Sequence, residues 1–277
     1  MKVTLASALG TCFGVRSAIE AALDAKYAND LTIIGDLVHN PQTVAKLKEH
    51  GVRFVDSLDD PIHTKNVMIT AHGAPQSVTD RARDMGYTVH DASCPLVKRV
   101  HDTVKDLVAE GYFPVVFGEA KHVEIRGIVG RLDEYAIVGS IEDFGQLAGK
   151  EKVGIVCQTT HQLQYAQELL KAMTSNFPGM EIKFIDTICK PTKDRQKAVR
   201  DLAAKVDLMI VVGGHNSSNT KKLKKVCQER NLTVYQIEAA GEIDPGWFAG
   251  CNHIGITAGT STPAEVIQEV HDRIRNL

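Results

Sequence analysis

A chain of 277 residues, 43% hydrophobic and 24% charged, has the make-up of an ordinary globular protein with material for a sizeable core, and its length alone suggests about two domains. A formal net charge of −2 excludes general attraction to nucleic acid or to an anionic membrane surface. No apolar run approaches the ~20 residues of a membrane helix and no charged-then-apolar leader opens the sequence, so a cytoplasmic location is expected. Six cysteines lie far apart, which argues against a disulfide framework and leaves metal binding, catalysis or packing as their uses.

An apolar run at 3–6 leads to Thr11-Cys12-Phe13-Gly14 and a helix through Ile19, Ala22 and Leu23. A strand at 31–34 follows, then a loop at 35–41 containing His39, a helix through Val44, Leu47 and His50, and a short strand at 52–55. The strand at 67–70 ends in Ala71-His72-Gly73-Ala74-Pro75. The strand at 87–90 runs into Asp91-Ala92-Ser93-Cys94-Pro95 and a helix through Val97, Val100, Val104, Leu107 and Val108. The same order then recurs. A strand at 114–117 ends in a loop with His122 and Glu124, a short strand is expected at 135–138, and 153–157 ends in Gln158-Thr159-Thr160-His161 before a helix through Ala166, Leu169 and Leu170. A strand from 184 ends in Cys189, ahead of a helix through Ala198, Leu202 and Val206. In the last part, 208–212 ends in Gly213-Gly214-His215-Asn216-Ser217-Ser218-Asn219 and a Lys-rich helix. A short strand at 232–235, a strand at 253–257 ending in Ala258-Gly259-Thr260-Ser261-Thr262-Pro263, and a helix through Val266, Ile267 and Val270 complete the chain.

Short apolar strands alternating with helices predict an α/β fold with mainly parallel, buried sheets. Cys12, Cys94 and Cys189 each stand at a strand-to-helix junction and divide the chain into near-equal thirds, which is an internal repeat. Three similar small α/β domains are therefore expected, at 1–94, 95–189 and 190–277. Ligands of open parallel sheets lie beyond the carboxyl ends of the strands. A pseudo-threefold arrangement with those ends inward would bring the three cysteines to one centre.

A thiol at a helix N-terminus is biased toward the thiolate, the form that binds metal. Structural zinc usually takes four ligands at short local spacings, and an iron–sulfur cube normally takes four cysteines; three would leave one iron open. Simple packing of three buried cysteines is the competing reading; for Cys157, Cys227 and Cys251, which have no equivalents between repeats, core packing or simple surface placement is preferred. His39, His72, His122, Thr159, Thr160, Ser217, Ser218, Asn219 and Ser261 form a set of neutral donors near helix starts, suited to phosphate or diphosphate. Taken singly, such residues are usually caps or turn residues. Glu124 is the one carboxylate at a loop tip of this set. It can donate a proton if burial raises its pKa, or sit on the surface in an ion pair with Lys121 or Arg126. His50, His63, His90, His101 and His271 lack equivalents and are assigned to surface or packing. The run Lys221, Lys222, Lys224, Lys225 reads as a solvated helix face.

Together the strings Thr11-Cys12-Phe13-Gly14-Val15, Leu37-Val38-His39-Asn40, Ala71-His72-Gly73, Asp91-Ala92-Ser93-Cys94-Pro95, Gln158-Thr159-Thr160, Asp186-Thr187-Ile188-Cys189 with Arg195-Gln196, Asn216-Ser217-Ser218-Asn219 and Ala258-Gly259-Thr260-Ser261-Thr262-Pro263 resemble the 4-hydroxy-3-methylbut-2-enyl diphosphate reductases, which catalyse the last step of the non-mevalonate isoprenoid pathway. The resemblance implies one 4Fe-4S cluster per chain, held by Cys12, Cys94 and Cys189 with one open iron. It implies an allylic diphosphate substrate whose diphosphate lies among His39, His72, His122, Ser217, Ser218, Asn219 and Ser261. Glu124 would supply protons, Thr159 would help hold the hydroxyl end, and Thr160 and Thr192 would line the cavity. Two electrons, from a donor such as ferredoxin or flavodoxin, would expel water and give isopentenyl or dimethylallyl diphosphate; neither nucleic acid nor membrane is expected as a partner. Val123 stands where the family usually has proline, a change expected to loosen that loop. A quinolinate synthase-like enzyme also has three cysteines on one cluster but leaves Asn216-Ser217-Ser218-Asn219 unexplained. A non-catalytic iron–sulfur sensor would bind a cluster without turnover.

Overall fold

The structure, a computed structural model, describes residues 1–27 and 29–277. In chain order its elements begin β1 (Lys2–Leu5), α1 (Phe13–Ala22), β2 (Leu31–Ile34), α2 (Pro41–Glu49), β3 (Arg53–Val55), β4 (Asn66–Ile69), α3 (Gln76–Asp84), β5 (Thr88–Asp91) and α4 (Pro95–Ala109). They continue with β6 (Phe113–Phe117), α5 (Val123–Val129), β7 (Ala136–Val138), β8 (Lys152–Cys157), α6 (Leu163–Asn176) and β9 (Glu181–Phe184). The last are α7 (Lys190–Ala203), β10 (Leu208–Val212), α8 (Ser218–Gln228), β11 (Thr233–Ile237), β12 (His253–Ala258) and α9 (Ala264–Arg275). Among the described residues no helix is long and apolar enough to cross a membrane.

The strands form three four-stranded sheets with orders β3-β2-β4-β5, β7-β6-β8-β9 and β11-β10-β12-β1. All described pairings are parallel, for example Leu31↔Asn66 through Ile34↔Ile69. The three orders are the same, and in each the last edge strand is the one that leads to a cysteine. In the third sheet, however, that edge is supplied by β1, whose Lys2 pairs with His253. Residues 1–94 are therefore not a self-contained repeat as expected: their opening strand completes the sheet of the last part. A four-residue strand carries no record of its partner, because pairing is decided by which open edge is available.

The chain forms two compact units. One comprises Met1–Arg16, Val38–Lys46 and Lys190–Leu277; the other comprises Ser17–Leu37 and Leu47–Cys189. In the first unit, every residue of β10 is buried, and its alternating faces feed two cores, one around Leu208, Ile210 and Val212 and one around Met209 and Val211. In the second, β6 and β8 divide their side chains the same way, with Phe117 and Ile155 on one face and Val116 and Val156 on the other. Such continuous apolar runs are what strands covered on both faces require.

Helix α4 shows how local sequence positions the site. Pro95 occupies its first turn, where a missing N–H costs nothing, and Val97, Val100, Val104 and Leu107 form its buried stripe. Gly111, at φ +81°, turns the chain out of the helix and donates its N–H to Val108 O at 2.9 Å.

Two local expectations are corrected. The strand before Cys189 lies at Glu181–Phe184 rather than 184–188. Beyond it Thr187 Oγ1 accepts from Cys157 N at 2.8 Å and donates to Cys157 O at 2.6 Å, so a side chain takes the place of the backbone ladder. Val123 and Glu124, read as the end of a loop, instead open helix α5, and Glu124 lies in its first turn.

Candidate functional site

Each of the three repeat cysteines immediately precedes a helix: Cys12 before α1, Cys94 before α4 and Cys189 before α7. The Cys12 carbonyl accepts from Arg16 N at 3.0 Å, and the Cys94 carbonyl accepts from Val97 N and Lys98 N at 2.9 and 3.0 Å. The thiols thus stand at the positive ends of helix dipoles. All three are half-buried. By contrast, Cys157 and Cys227 are buried, and burial pushes the Cys227 thiol up to about 12. Among the described residues no three His, Cys, Asp or Glu side chains are gathered to hold a single metal ion. Cys94 and Cys189 belong to one compact unit and Cys12 to the other.

In the larger unit a continuous chain of contacts runs from Cys94 to Cys189. Cys94 N donates to Ala71 O at 3.0 Å, hanging the cysteine loop on the turn that carries His72. The His72 ring meets the His122 ring edge to face, with centroids 5.8 Å apart. His122 caps α5: its Nδ1 accepts from Glu124 N at 3.1 Å. That bond leaves Nδ1 without a proton and makes Nε2–H the donor of a neutral imidazole. Val123 is the first residue of this helix, a position whose N–H is unsatisfied whether or not proline occupies it, so valine there costs the helix no hydrogen bond.

Glu124 is 1% exposed, a core carboxylate rather than a surface one. Its Oε1 accepts from Thr159 N at 2.6 Å and its Oε2 from Thr159 Oγ1 at 2.9 Å. Thr159 O in turn accepts from Cys189 N at 3.0 Å. Thr160 Oγ1 accepts from Gln158 Nε2 at 3.1 Å, and Gln158 Oε1 accepts from Glu119 N at 3.2 Å. A Cβ at Gly118 would fall 2.6 Å from Ile125 Cδ1 and 3.0 Å from Gln158, so a side chain there would displace Ile125 or Gln158. Gln158 is thus a support of the site that the sequence did not single out by itself; its signal was its place beside Thr159.

Replacing Thr159 with valine removes one donor from a buried carboxylate at nearly constant shape. The expected loss is ~1–3 kcal/mol of unfolding free energy, read from denaturant midpoints.

The other unit carries Cys12, His39, Thr192, Ser217, Ser218, Asn219 and Ser261. Cys12 N donates to Thr260 O at 3.0 Å, and Ser261 Oγ donates to His39 O at 3.2 Å. A Cβ on Gly214 would lie 2.6 Å from His39 O, so this close approach requires glycine. Ser217 caps α8 by accepting from Thr220 N at 3.3 Å, and Ser218 opens the helix. Thr192 is fully buried in the first turns of α7. Both amide atoms of Asn219, together with Gln42 Oε1, Thr43 Oγ1 and Thr220 Oγ1, are buried without a hydrogen-bond partner. Each such atom costs ~1–3 kcal/mol until something bonds to it, a cost that a bound polar group or water offsets. Gln42 and Thr43 were not expected; their one signal is position in the first turn after His39, behind the Asn40 cap on Thr43 N.

His101, assigned from sequence to surface or packing, lies on the buried face of α4 and is 8% exposed. Desolvation first, then the Arg131 charge, lowers its pKa from 6.5 to about 4. A histidine harder to protonate in the folded state contributes full stability above the unfolded pKa and loses it as pH falls from 6.5 through about 4. The expected loss approaches ~3 kcal/mol. Denaturant titrations at pH 7 and pH 4.5 should show a smaller drop for His101→Gln than for the parent chain.

Parallel sheets that deliver thiols to helix N-termini, with a buried carboxylate in one unit and unsatisfied buried polar groups in the other, define an α/β protein with the residues of an enzyme acting on a polar ligand. The chain belongs to the LytB protein family, whose model matches residues 3–275. It is 40% identical over 279 residues to the 4-hydroxy-3-methylbut-2-enyl diphosphate reductase of Pelobacter propionicus, covering 100% of this chain and 99% of that one. Among solved structures it resembles (E)-4-hydroxy-3-methyl-but-2-enyl diphosphate reductase, the terminal enzyme of the non-mevalonate pathway, at 38% identity and a TM-score of 0.71 with both chains fully covered. It also resembles the E-1-hydroxy-2-methyl-but-2-enyl-4-diphosphate reductase from Plasmodium falciparum, at 28% identity and a TM-score of 0.90, covering 98% of this chain and 87% of that one.

Proposed function

We propose that this chain is an oxidoreductase that removes the hydroxyl of 4-hydroxy-3-methylbut-2-enyl diphosphate as water, forming isopentenyl and dimethylallyl diphosphate. The balance is two electrons and two protons in, one water out. The observation that carries the reading is the link Glu124–Thr159–Cys189: a buried carboxylate bonded through both oxygens to the residue on which a repeat cysteine hangs.

Three thiols of the repeat cysteines suit an iron–sulfur cluster, and a 4Fe-4S cluster on Cys12, Cys94 and Cys189, one per chain, with one open iron, accounts for their equivalent placement after the edge strands of three sheets of the same strand order. Bound there, it would supply electrons singly and Lewis acidity toward the leaving oxygen. The chain's own residues do the rest. His39, His72, His122, Ser217, Ser218, Asn219 and Ser261 bind the diphosphate as neutral donors, so that no fixed ion pair has to be broken on release. Asn219 enters this role with both amide atoms unsatisfied. Thr159 orients Glu124, and Glu124 delivers the proton that turns hydroxide, a poor leaving group, into water. Thr160 and Thr192 line the cavity and exclude bulk solvent. A small acidic electron carrier, ferredoxin or flavodoxin, serves as donor in the cytoplasm.

The test is anaerobic purification with iron and sulfide counts, followed by incubation of the reduced protein with the allylic diphosphate. Near four irons and four sulfides per chain and formation of both products are expected. Cluster binding without turnover under any donor would make the protein a sensor instead.

A further inference from the structure

Arg195 is 7% exposed, and its guanidinium is turned onto backbone carbonyls rather than toward solvent. Nε donates to Gly10 O at 3.2 Å, Nη2 donates to the same oxygen, and Nη1 donates to Pro191 O at 2.9 Å. Gly10 lies two residues before Cys12. Pro191 lies two residues after Cys189, in the first turn of α7. One planar cation therefore ties the loop that presents Cys12 to the start of the helix that follows Cys189. The rest of that loop is held on the opposite side, by Thr11 Oγ1 donating to Thr262 O at 2.9 Å and Cys12 N donating to Thr260 O at 3.0 Å. Gly10 itself, at φ +73°, takes a conformation that favours glycine, and a Cβ there would lie 2.9 Å from Ile267 Cδ1.

We propose that Arg195 is the positioning residue for Cys12: it fixes the loop geometry through the Gly10 carbonyl and places a permanent positive charge on that loop, two residues before the cysteine that, on the reading above, ligates the cluster. The two contributions separate by side chain. Lysine keeps the charge but is a point donor without the planar fork, so it cannot reproduce bonds to two carbonyls at once. Glutamine loses the charge as well. A cation held near a cluster favours its reduced, more negative state, so its removal shifts the midpoint potential downward.

The experiment compares the parent holoenzyme with Arg195→Lys and Arg195→Gln, each checked for a retained circular dichroism spectrum. Hydrogen exchange is followed at the amides of residues 9–12, and the midpoint potential by anaerobic titration. Faster exchange confined to that loop is expected in both variants, with a lowered potential in Arg195→Gln and a near-parent potential in Arg195→Lys. Parent-like loop exchange in both variants would overturn the clamp, and an equal potential in all three proteins would overturn the charge. If the parent chain bound no cluster, the exchange arm would still decide the clamp, while the cluster reading alone would fall.

Discussion

Replacing Glu124 with glutamine is expected to leave iron and sulfide content unchanged and to lower turnover by ~10²–10⁴-fold, the usual worth of a general acid. The structure makes this substitution a clean one. Thr159 N can only donate, so it selects the glutamine carbonyl for the position of Oε1. The glutamine NH₂ then faces Thr159 Oγ1, a hydroxyl that can rotate from donating to accepting. Shape and hydrogen bonds survive, and the transferable proton does not. Alanine is a poorer probe, because it leaves Thr159 N buried without an acceptor and opens a cavity in the core around Ile125 and Ile128. Turnover near the parent value in Glu124→Gln, measured as product formed from the allylic diphosphate under a fixed electron donor, would remove Glu124 as the acid.

The second large effect is expected at Cys94. Serine there should abolish cluster retention and with it nearly all reductase turnover, while leaving the fold intact or slightly strengthened. Cys94 precedes α4, and its side chain makes no capping hydrogen bond. Serine is among the best residues at that position, typically worth ~1 kcal/mol over a non-capping side chain. The backbone contribution, Cys94 N to Ala71 O and the carbonyl to Val97 and Lys98, does not depend on the sulfur. Iron content should therefore fall while the cluster-free variant melts at or slightly above the cluster-free parent, an outcome that a purely structural cysteine cannot produce. Cys227 provides the contrast. Its thiol sits in the core with Val199, Leu223 and Val226, so serine there should cost stability and leave iron content alone.

Much of this architecture is written in short-range pattern. The strand at 208–212 is apolar from end to end and that at 31–34 is broken only by Thr32, and the structure places β10 and β2 on those same residues. The positions of the three cysteines ahead of helices were equally plain, because proline or glycine follows each within two residues. What escaped was decided by side chains acting at a distance. Helix α5 is short, contains Gly127, and is started by a histidine cap, none of which is a strong helix signal. The strand before Cys189 stops early because Thr187 reaches across to Cys157, a contact invisible in the sequence. Within the site, the residue types and their order were legible from the repeat. The double bond between Glu124 and Thr159, the facing rings of His72 and His122, and the unsatisfied atoms of Gln42 and Thr43 needed coordinates.

The placement of β1 bears on biogenesis. Thr11 and Thr262, bonded across the sheet that β1 completes, are 251 residues apart. During synthesis at ~5–20 residues per second, β1 and the loop behind it wait tens of seconds for β12 to leave the ribosome. Through that interval an apolar segment and its thiol have no docking place, and the late-made sheet has an unfilled edge. A nascent chain stalled before residue 253 should accordingly be the species most prone to engage chaperones and to suffer oxidation at Cys12.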